Sequence, residues 1–137
     1  MALICDTGPL LAALDAADPD HERCARLLRD ADEDLIVPTL VLAELDCWCG
    51  RRLPADAWLI FLDDLLAGVY RAEAPTDADL ARCRDLQVRY ADLALGVVDA
   101  SVVALAERLG EAKVVTLDQR HFRAVRPAHV EAFELRP

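Results

Sequence analysis

Four acidic residues interrupt stretches of the chain that are otherwise apolar or small. Asp6 closes Ala2-Leu3-Ile4-Cys5, and Glu44 lies within Pro38-Thr39-Leu40-Val41-Leu42-Ala43-Glu44-Leu45. Asp99 sits in Leu95-Gly96-Val97-Val98-Asp99-Ala100-Ser101-Val102-Val103-Ala104, and Asp118 follows Val114-Val115-Thr116-Leu117. Burying a carboxylate without a partner is costly, so each needs an explanation. Asp6, ahead of Thr7-Gly8, is either a helix cap or a site residue. Glu44 has Leu40, Val41 and Leu45 as its helical neighbours. It is either ion-paired to an arginine or part of a site. Asp118 is either the cap of a short helix through His121 or a site residue. Asp99 is the only charge between Asp92 and Glu107. A place near a helix start returns only about 0.3–1 kcal/mol, which does not offset burial, so Asp99 reads as functional.

Taken together, the four acids define a chemistry. Carboxylates forced into one pocket repel one another and resist ionisation. A hard divalent cation relieves the crowding. Mg²⁺ takes oxygen ligands and retains waters, and Mn²⁺ suits the same donors. Such an ion can activate water and stabilise the leaving oxygen of a phosphodiester, a task that two ions can share.

The elements that must position these acids are short strands alternating with helices. Ala2 to Asp6 reads as a buried strand, and Thr7-Gly8-Pro9 turns into a helix through Leu14. Asp18-Pro19 opens a second helix, roughly His21 to Arg29, with Cys24, Leu27 and Leu28 on one face. Leu35-Ile36-Val37 is a strand closed by Pro38, and Thr39 caps a helix to about Cys49. Gly50 and Pro54 punctuate, and Pro54 to Leu66 is a fourth helix ended by Gly68. Val69 to Ala74 is a further strand. Thr76, with Asp79 in capping-box register, opens a helix to about Tyr90. Val97 to Leu109 is a helix stopped by Gly110, Val114 to Leu117 a strand, and Glu131 to Leu135 a weaker last strand. This alternation predicts an α/β fold with a parallel sheet covered on both faces. In such sheets chemistry collects beyond the carboxyl ends of the strands, where Asp6 and Asp118 both fall.

Composition agrees with a single domain over residues 1–137, with 55 % hydrophobic residues. That length suffices for a core without staples. No apolar run approaches the ~20 residues of a membrane span, and the amino terminus lacks a basic stretch ahead of its apolar residues. A cytoplasmic protein with no membrane association is expected. Cys5, Cys24, Cys47, Cys49 and Cys83 are odd in number and lack a C-x-x-C spacing, so all are expected to be reduced. The net charge of −10 argues against nucleic acid taken alone. However, clustered acids inflate the total, bound cations reverse it locally, and the basic residues are arginine apart from Lys113. Arginine is the better bidentate phosphate ligand.

Asp6-Thr7 at a strand end, Pro38 followed by Glu44, Gly96-x-x-Asp99-Ala100-Ser101 and Thr116-Leu117-Asp118-x-x-His121-Phe122 together resemble PIN-domain proteins. More narrowly, the chain is similar to the VapC toxins of bacterial toxin–antitoxin pairs. The resemblance runs from Leu3 to about Leu135, and its strength lies in the four motifs occurring in this order at these spacings. It implies a three-layer α/β/α domain with a short-stranded parallel sheet. It implies a Mg²⁺- or Mn²⁺-dependent endoribonuclease, forming a homodimer and inhibited by a cognate VapB-like antitoxin. On this reading Asp6, Glu44, Asp99 and Asp118 are the catalytic and metal-binding acids, with Glu44 either ligating or acting as base toward water. Thr7, Asp92, Thr116 and Arg120 are candidates for an outer shell. Arg120 is the first candidate for a phosphate contact, and His121 is read as structural. Leu10, Leu11, Leu14, Trp48, Trp58, Phe61 and Leu62 are core, or in part a groove for an antitoxin segment. A phosphoryl-receiver domain would need a lysine after a late strand, whereas Lys113 precedes one. A phosphatase of the Asp-x-Asp type would need a second acid two residues on, whereas Thr7-Gly8 follows Asp6. The alternative in a different class is a non-catalytic PIN-like module that binds protein or RNA.

Overall fold

In the computed structural model, which describes residues 1–137, strand β1 (Ala2–Cys5) is buried at every position. An unbroken apolar run is what a strand covered on both faces requires. It pairs in parallel with β2 (Asp34–Pro38) on one side and with β4 (Lys113–Val115) on the other. Strands β3 (Arg71–Glu73) and β5 (Glu134–Arg136) complete a five-stranded parallel sheet in the order β3-β2-β1-β4-β5. Both edge strands are short and carry charges at each end, which discourages pairing with a further strand.

The helices are α1 (Thr7–Leu14), α2 (His21–Asp30), α3 (Thr39–Arg52), α4 (Ala57–Leu66), α5 (Asp77–Arg89), α6 (Val97–Leu109) and α7 (Gln119–Ala124), with a 3₁₀ turn at Ala91–Leu93. Strand order moves outward from β1 to β3, then returns to the far side of β1 for β4. Right-handed crossovers therefore place α1 to α4 on one face and α5 and α6 on the other. Helix α6 lies against β1, β2 and β4 and carries α5 on its back, while α1 packs between α2 and α3. The result is the three-layer α/β/α arrangement expected from the sequence. Ile4, Val37, Val41, Leu45, Val102, Val103, Val114 and Val115 form its buried centre. Helix α5 has the predicted capping box: Thr76 Oγ1 accepts from the Asp79 amide at 3.1 Å, and Asp79 Oδ2 accepts from the Thr76 amide at 3.0 Å. Gly110 ends α6 with φ at 70°, a conformation that favours glycine.

Several boundaries differ from the sequence reading. Helix α3 does not stop at Cys49 but runs through Gly50 to Arg52. One helical glycine costs only about 1 kcal/mol, and the two terminal arginines favour the helix end. Its N-cap position is Pro38, without a side-chain cap, so Thr39 is the first helical residue and not the cap. Helix α4 starts at Ala57 instead of Pro54: a turn comes first, in which the Ala57 amide donates to the Pro54 carbonyl at 3.1 Å. Lys113 is the first residue of β4 rather than a residue before it, and its Nζ lies 2.7 Å from Glu33 Oε1. The strand ends at Val115, leaving Thr116 and Leu117 beyond it, and β5 spans Glu134–Arg136.

Candidate active site

The sheet reverses its order between β1 and β4, and the crevice beyond the carboxyl ends of two such strands is where α/β folds bind ligands. Asp6 leaves β1 there. Its amide donates to the Val115 carbonyl at 2.9 Å, so the backbone is fixed to β4 as the chain turns into α1. Asp6 occupies the N-cap position of α1, yet its side chain makes no capping hydrogen bond. The local explanation for this acid therefore fails. Its side chain, only 6 % exposed, instead accepts from the Thr116 hydroxyl, 2.9 Å from Oδ2. The same Thr116 oxygen accepts from the Asp118 amide at 3.0 Å. One buried hydroxyl thus ties Asp6 to the loop that carries Asp118.

Asp118 caps α7 weakly, accepting from the His121 amide at 3.4 Å. Its other oxygen lies 2.8 Å from His121 Nδ1, and that same nitrogen is 3.1 Å from Asp99 Oδ2. His121 therefore stands between two carboxylates delivered by different elements, α6 and the β4–α7 loop. Asp99, in the first turn of α6, is half-buried. Glu44 arrives on α3 and forms no ion pair with an arginine, so its local explanation fails as well. Asp6, Thr7, Glu44, Trp48, Asp99 and Asp118 line one cleft of about 600 Å³, walled by Leu11, Val97, Val98 and Leu117. Gly8 also lines the cleft. A Cβ there would stand 3.4 Å from Leu117 Cβ, so α1 approaches the β4–α7 loop as closely as a side chain permits.

The four acids behave as one electrostatic group. Burial pushes the Asp6 carboxyl up from 3.8 to about 6, Asp99 and Glu44 push it the same way, and the Thr7 amide and Thr116 hydroxyl only partly oppose them. Asp99 is also raised, first by burial, with His121 opposing and Asp118 and Glu44 adding. No lysine or arginine pairs with any of the four. The sole partner of opposite potential is His121, and its Nδ1 and the oxygens of Asp99 and Asp118 fall within 4.8 Å of one another. A set of oxygen donors short of positive charge fits a hard divalent cation. Thr7 adds to the fit: its hydroxyl is buried without a hydrogen-bond partner, on a residue that lines the cleft.

The outer candidates divide. Thr7 and Thr116 touch the cleft or its acids. Asp92 is exposed in the 3₁₀ turn and does not line the cleft, and Arg120 is exposed beside Asp118 without an ion pair. Of the apolar set, Leu10, Leu11 and Phe61 are core, whereas Leu14, Trp48, Trp58 and Leu62 are partly exposed. Two residues escaped the sequence reading. His121 reads from the sequence as structural, and the structure sets it between Asp99 and Asp118; an acid three residues before a histidine at a helix start, which places both on one turn, is the signal that points to it. Trp48, which the sequence reading places in core or groove, lines the acidic cleft; its place one turn beyond Glu44, on the same face, is the signal.

Comparison with known proteins gives a consistent result. The family model described as PIN domain matches residues 3–127. Ribonuclease VapC26 of Mycobacterium tuberculosis is 36 % identical over 125 residues, covering 91 % of this chain and 93 % of the relative. Among solved structures, M. tuberculosis VapC20, described as a toxin that cleaves the sarcin–ricin loop, superposes with a TM-score of 0.76 at 22 % identity, over 82 % of this chain and 87 % of its own. VapBC2 from Rickettsia felis bound to a promoter DNA fragment gives 0.70 at 15 % identity over the whole of both chains. A toxin–antitoxin complex from Klebsiella pneumoniae gives 0.68 at 16 %, covering 95 % of this chain and 100 % of its counterpart.

Proposed function

This chain belongs to the PIN-domain family, and from that premise we propose that it is a VapC-type toxin, a metal-dependent endoribonuclease acting as one domain over residues 1–137. The observation that carries this reading is the convergence of Asp6, Glu44, Asp99 and Asp118, from four separate elements, on one cleft without a basic partner other than His121. Asp6, Asp99, Asp118 and Glu44 would hold Mg²⁺ or Mn²⁺. A divalent ion held there supplies positive charge to a phosphodiester and lowers the pKa of water.

The chain's own residues do the rest. Asp6 is held by Thr116 so that its free oxygen faces the cleft. His121 keeps Asp99 and Asp118 side by side against their repulsion. Glu44 accepts the proton of the attacking water, whose oxygen bonds to phosphorus as the bond to the 3′-oxygen breaks; the departing oxygen takes a proton from solvent, leaving a 5′-phosphate and a 3′-hydroxyl. Thr7 and Thr116 act as orienting residues. Arg120, exposed at the mouth of the Asp118 loop, contacts phosphate, and Asp92 lies too far out on the surface to take part.

A cognate VapB-like antitoxin and a homodimer are part of the same proposal. They are supported by the apolar outer face of α4, where Leu59, Ile60 and Leu66 are 57 %, 51 % and 83 % exposed. Exposed apolar patches of this kind mark contact surfaces. All five cysteines are unpaired, which suits a reducing, cytoplasmic setting. No helix is long and apolar enough to cross a membrane.

The deciding experiment is cleavage of total RNA with Mg²⁺ or Mn²⁺ and with EDTA, alongside Mn²⁺ calorimetry. Metal-dependent cleavage that disappears in Asp99→Asn supports the nuclease. Absence of both cleavage and stoichiometric Mn²⁺ binding would leave the non-catalytic module as the reading.

A further inference from the structure

Helix α3 carries Glu44, Trp48 and Arg52 at intervals of four residues, so an acid, an indole and a guanidinium lie one above another on the same face. This register exists only because the helix continues past Gly50 to Arg52. The Arg52 guanidinium sits 4.6 Å from the centroid of the Trp48 ring, and that of Arg51 5.7 Å from it, both within cation–π range. Trp48 is half-buried and lines the acidic cleft beside Glu44 and the apolar wall of Leu11, Val97 and Val98. Neither arginine is paired with a carboxylate, unlike Arg23, Arg26, Arg71, Arg82 and Arg108. In a chain of net charge −10, two neighbouring guanidinium groups without a carboxylate partner thus lie over an indole that lines an acidic cleft.

We propose that Trp48, with Arg51 and Arg52, is a stacking platform for single-stranded RNA, holding the base of a nucleotide that flanks the scissile phosphate while the arginines meet the adjoining backbone. The inference rests on the nuclease reading and names how that site grips its substrate. The guanidinium groups lie over the indole, so an incoming base takes their place on the ring as the arginines swing out to the adjoining phosphates; such stacking is tolerant of sequence because every base offers a π-face. Trp48 acts here as a binding and positioning residue. It is one helical turn from Glu44, so a base stacked on the indole brings its own phosphate toward the acids.

The test is steady-state cleavage of short oligoribonucleotides by the wild type, Trp48→Ala, Trp48→Phe and Arg52→Ala, each verified as folded by circular dichroism. Trp48→Ala should raise KM about tenfold or more with a smaller change in kcat, Trp48→Phe should keep most of the wild-type KM, and Arg52→Ala should fall between. Substrates with one abasic nucleotide, moved along the sequence, give a second readout. At one position next to the cut, the abasic loss in the wild type should equal the Trp48→Ala loss, and the two should not add. Wild-type KM in both Trp48→Ala and Arg52→Ala, or additivity at every position, would overturn the platform. If Trp48→Ala does not fold, Trp48→Phe, Arg52→Ala and the abasic series decide. Should the wild type cleave no RNA, the nuclease reading fails separately. The platform is then judged by quenching of Trp48 fluorescence in Trp58→Phe upon titration with oligouridylate: saturable quenching supports it and none refutes it.

Discussion

Replacing Asp6 by asparagine should make the metal-free protein more stable while removing its activity. The reasoning is electrostatic. The Asp6 carboxyl is pushed from 3.8 to about 6, and each tenfold change in proton affinity corresponds to 1.36 kcal/mol. Keeping this group ionised in the fold therefore costs about 3 kcal/mol at neutral pH. Asparagine carries no charge, and its oxygen can still accept from the Thr116 hydroxyl. The sign follows from linkage. A carboxyl whose folded pKa is raised is fully stabilising below about 4, where both states are protonated, and its contribution is lost as pH rises through about 6. Urea denaturation in EDTA should accordingly show Asp6→Asn more stable than wild type by about 1–3 kcal/mol at pH 7.5, with the advantage vanishing near pH 4. Adding Mn²⁺ should reverse the ranking, since ligand binding stabilises the wild type by about 4.1 kcal/mol at a thousandfold excess over Kd. An Asp6→Asn protein less stable than wild type at pH 7.5 without metal would refute the argument, because it would mean that the carboxylate is satisfied where it stands.

Other expectations follow from the same geometry. Glu44→Gln should lower kcat for RNA cleavage by about a hundredfold or more with little change in the melting profile, since Glu44 has no ion pair to lose. Mn²⁺ affinity, measured by calorimetry, should weaken as pH falls below about 6, where the metal must displace a proton from Asp6; a flat profile from pH 7 to 5 would contradict the raised pKa. Thr116→Val strands the Asp118 amide and frees the Asp6 carboxylate. It should cost about 1–3 kcal/mol in stability and about 10–100-fold in metal affinity, whereas Thr116→Ser should retain both.

Much of the fold was legible because its signals are local. The unbroken apolar run Ala2–Cys5 announces a strand buried on both faces, and Thr76 with Asp79 announces a helix start, both as found. The ends of α3 and β4 were not legible, because tertiary partners set them. Gly50 reads as a stop in isolation, yet it is helical in a segment whose Val41, Leu45 and Cys49 are buried. Thr116 reads as strand, and just past the end of β4 its amide still donates to the Arg136 carbonyl at 2.8 Å, while its hydroxyl serves Asp6 and Asp118. The acids of the site were legible as costly residues in apolar settings. His121 was not, because nothing local reveals that its ring meets an acid 22 residues earlier in the chain.

The charge of the chain constrains how any RNA must be held. A protein of net charge −10 gives a polyanion no general attraction, so steering by a broad basic surface is unavailable to it. Most of its arginines are already committed: Arg82 grips Glu107 through two bonds of 2.8 and 2.9 Å, and Arg108 holds Asp79 at 2.8 Å. Recognition on the proposed reading must then come from a few short-range contacts gathered at the cleft itself. Those are cations held by the four acids, which invert the local potential, and the free guanidinium groups of Arg51, Arg52 and Arg120 at its edge. The strand order requires this concentration to lie where it does. Between β1 and β4 the strand order reverses, and the crevice beyond their carboxyl ends is one that Asp6 and Asp118 enter from the sheet and Glu44 and Asp99 enter from the two helical layers. An acid shifted by two residues on α3 or α6 would be rotated about 200° around the helix, away from the cleft, and the cluster would lose the crowding that makes it select a dication.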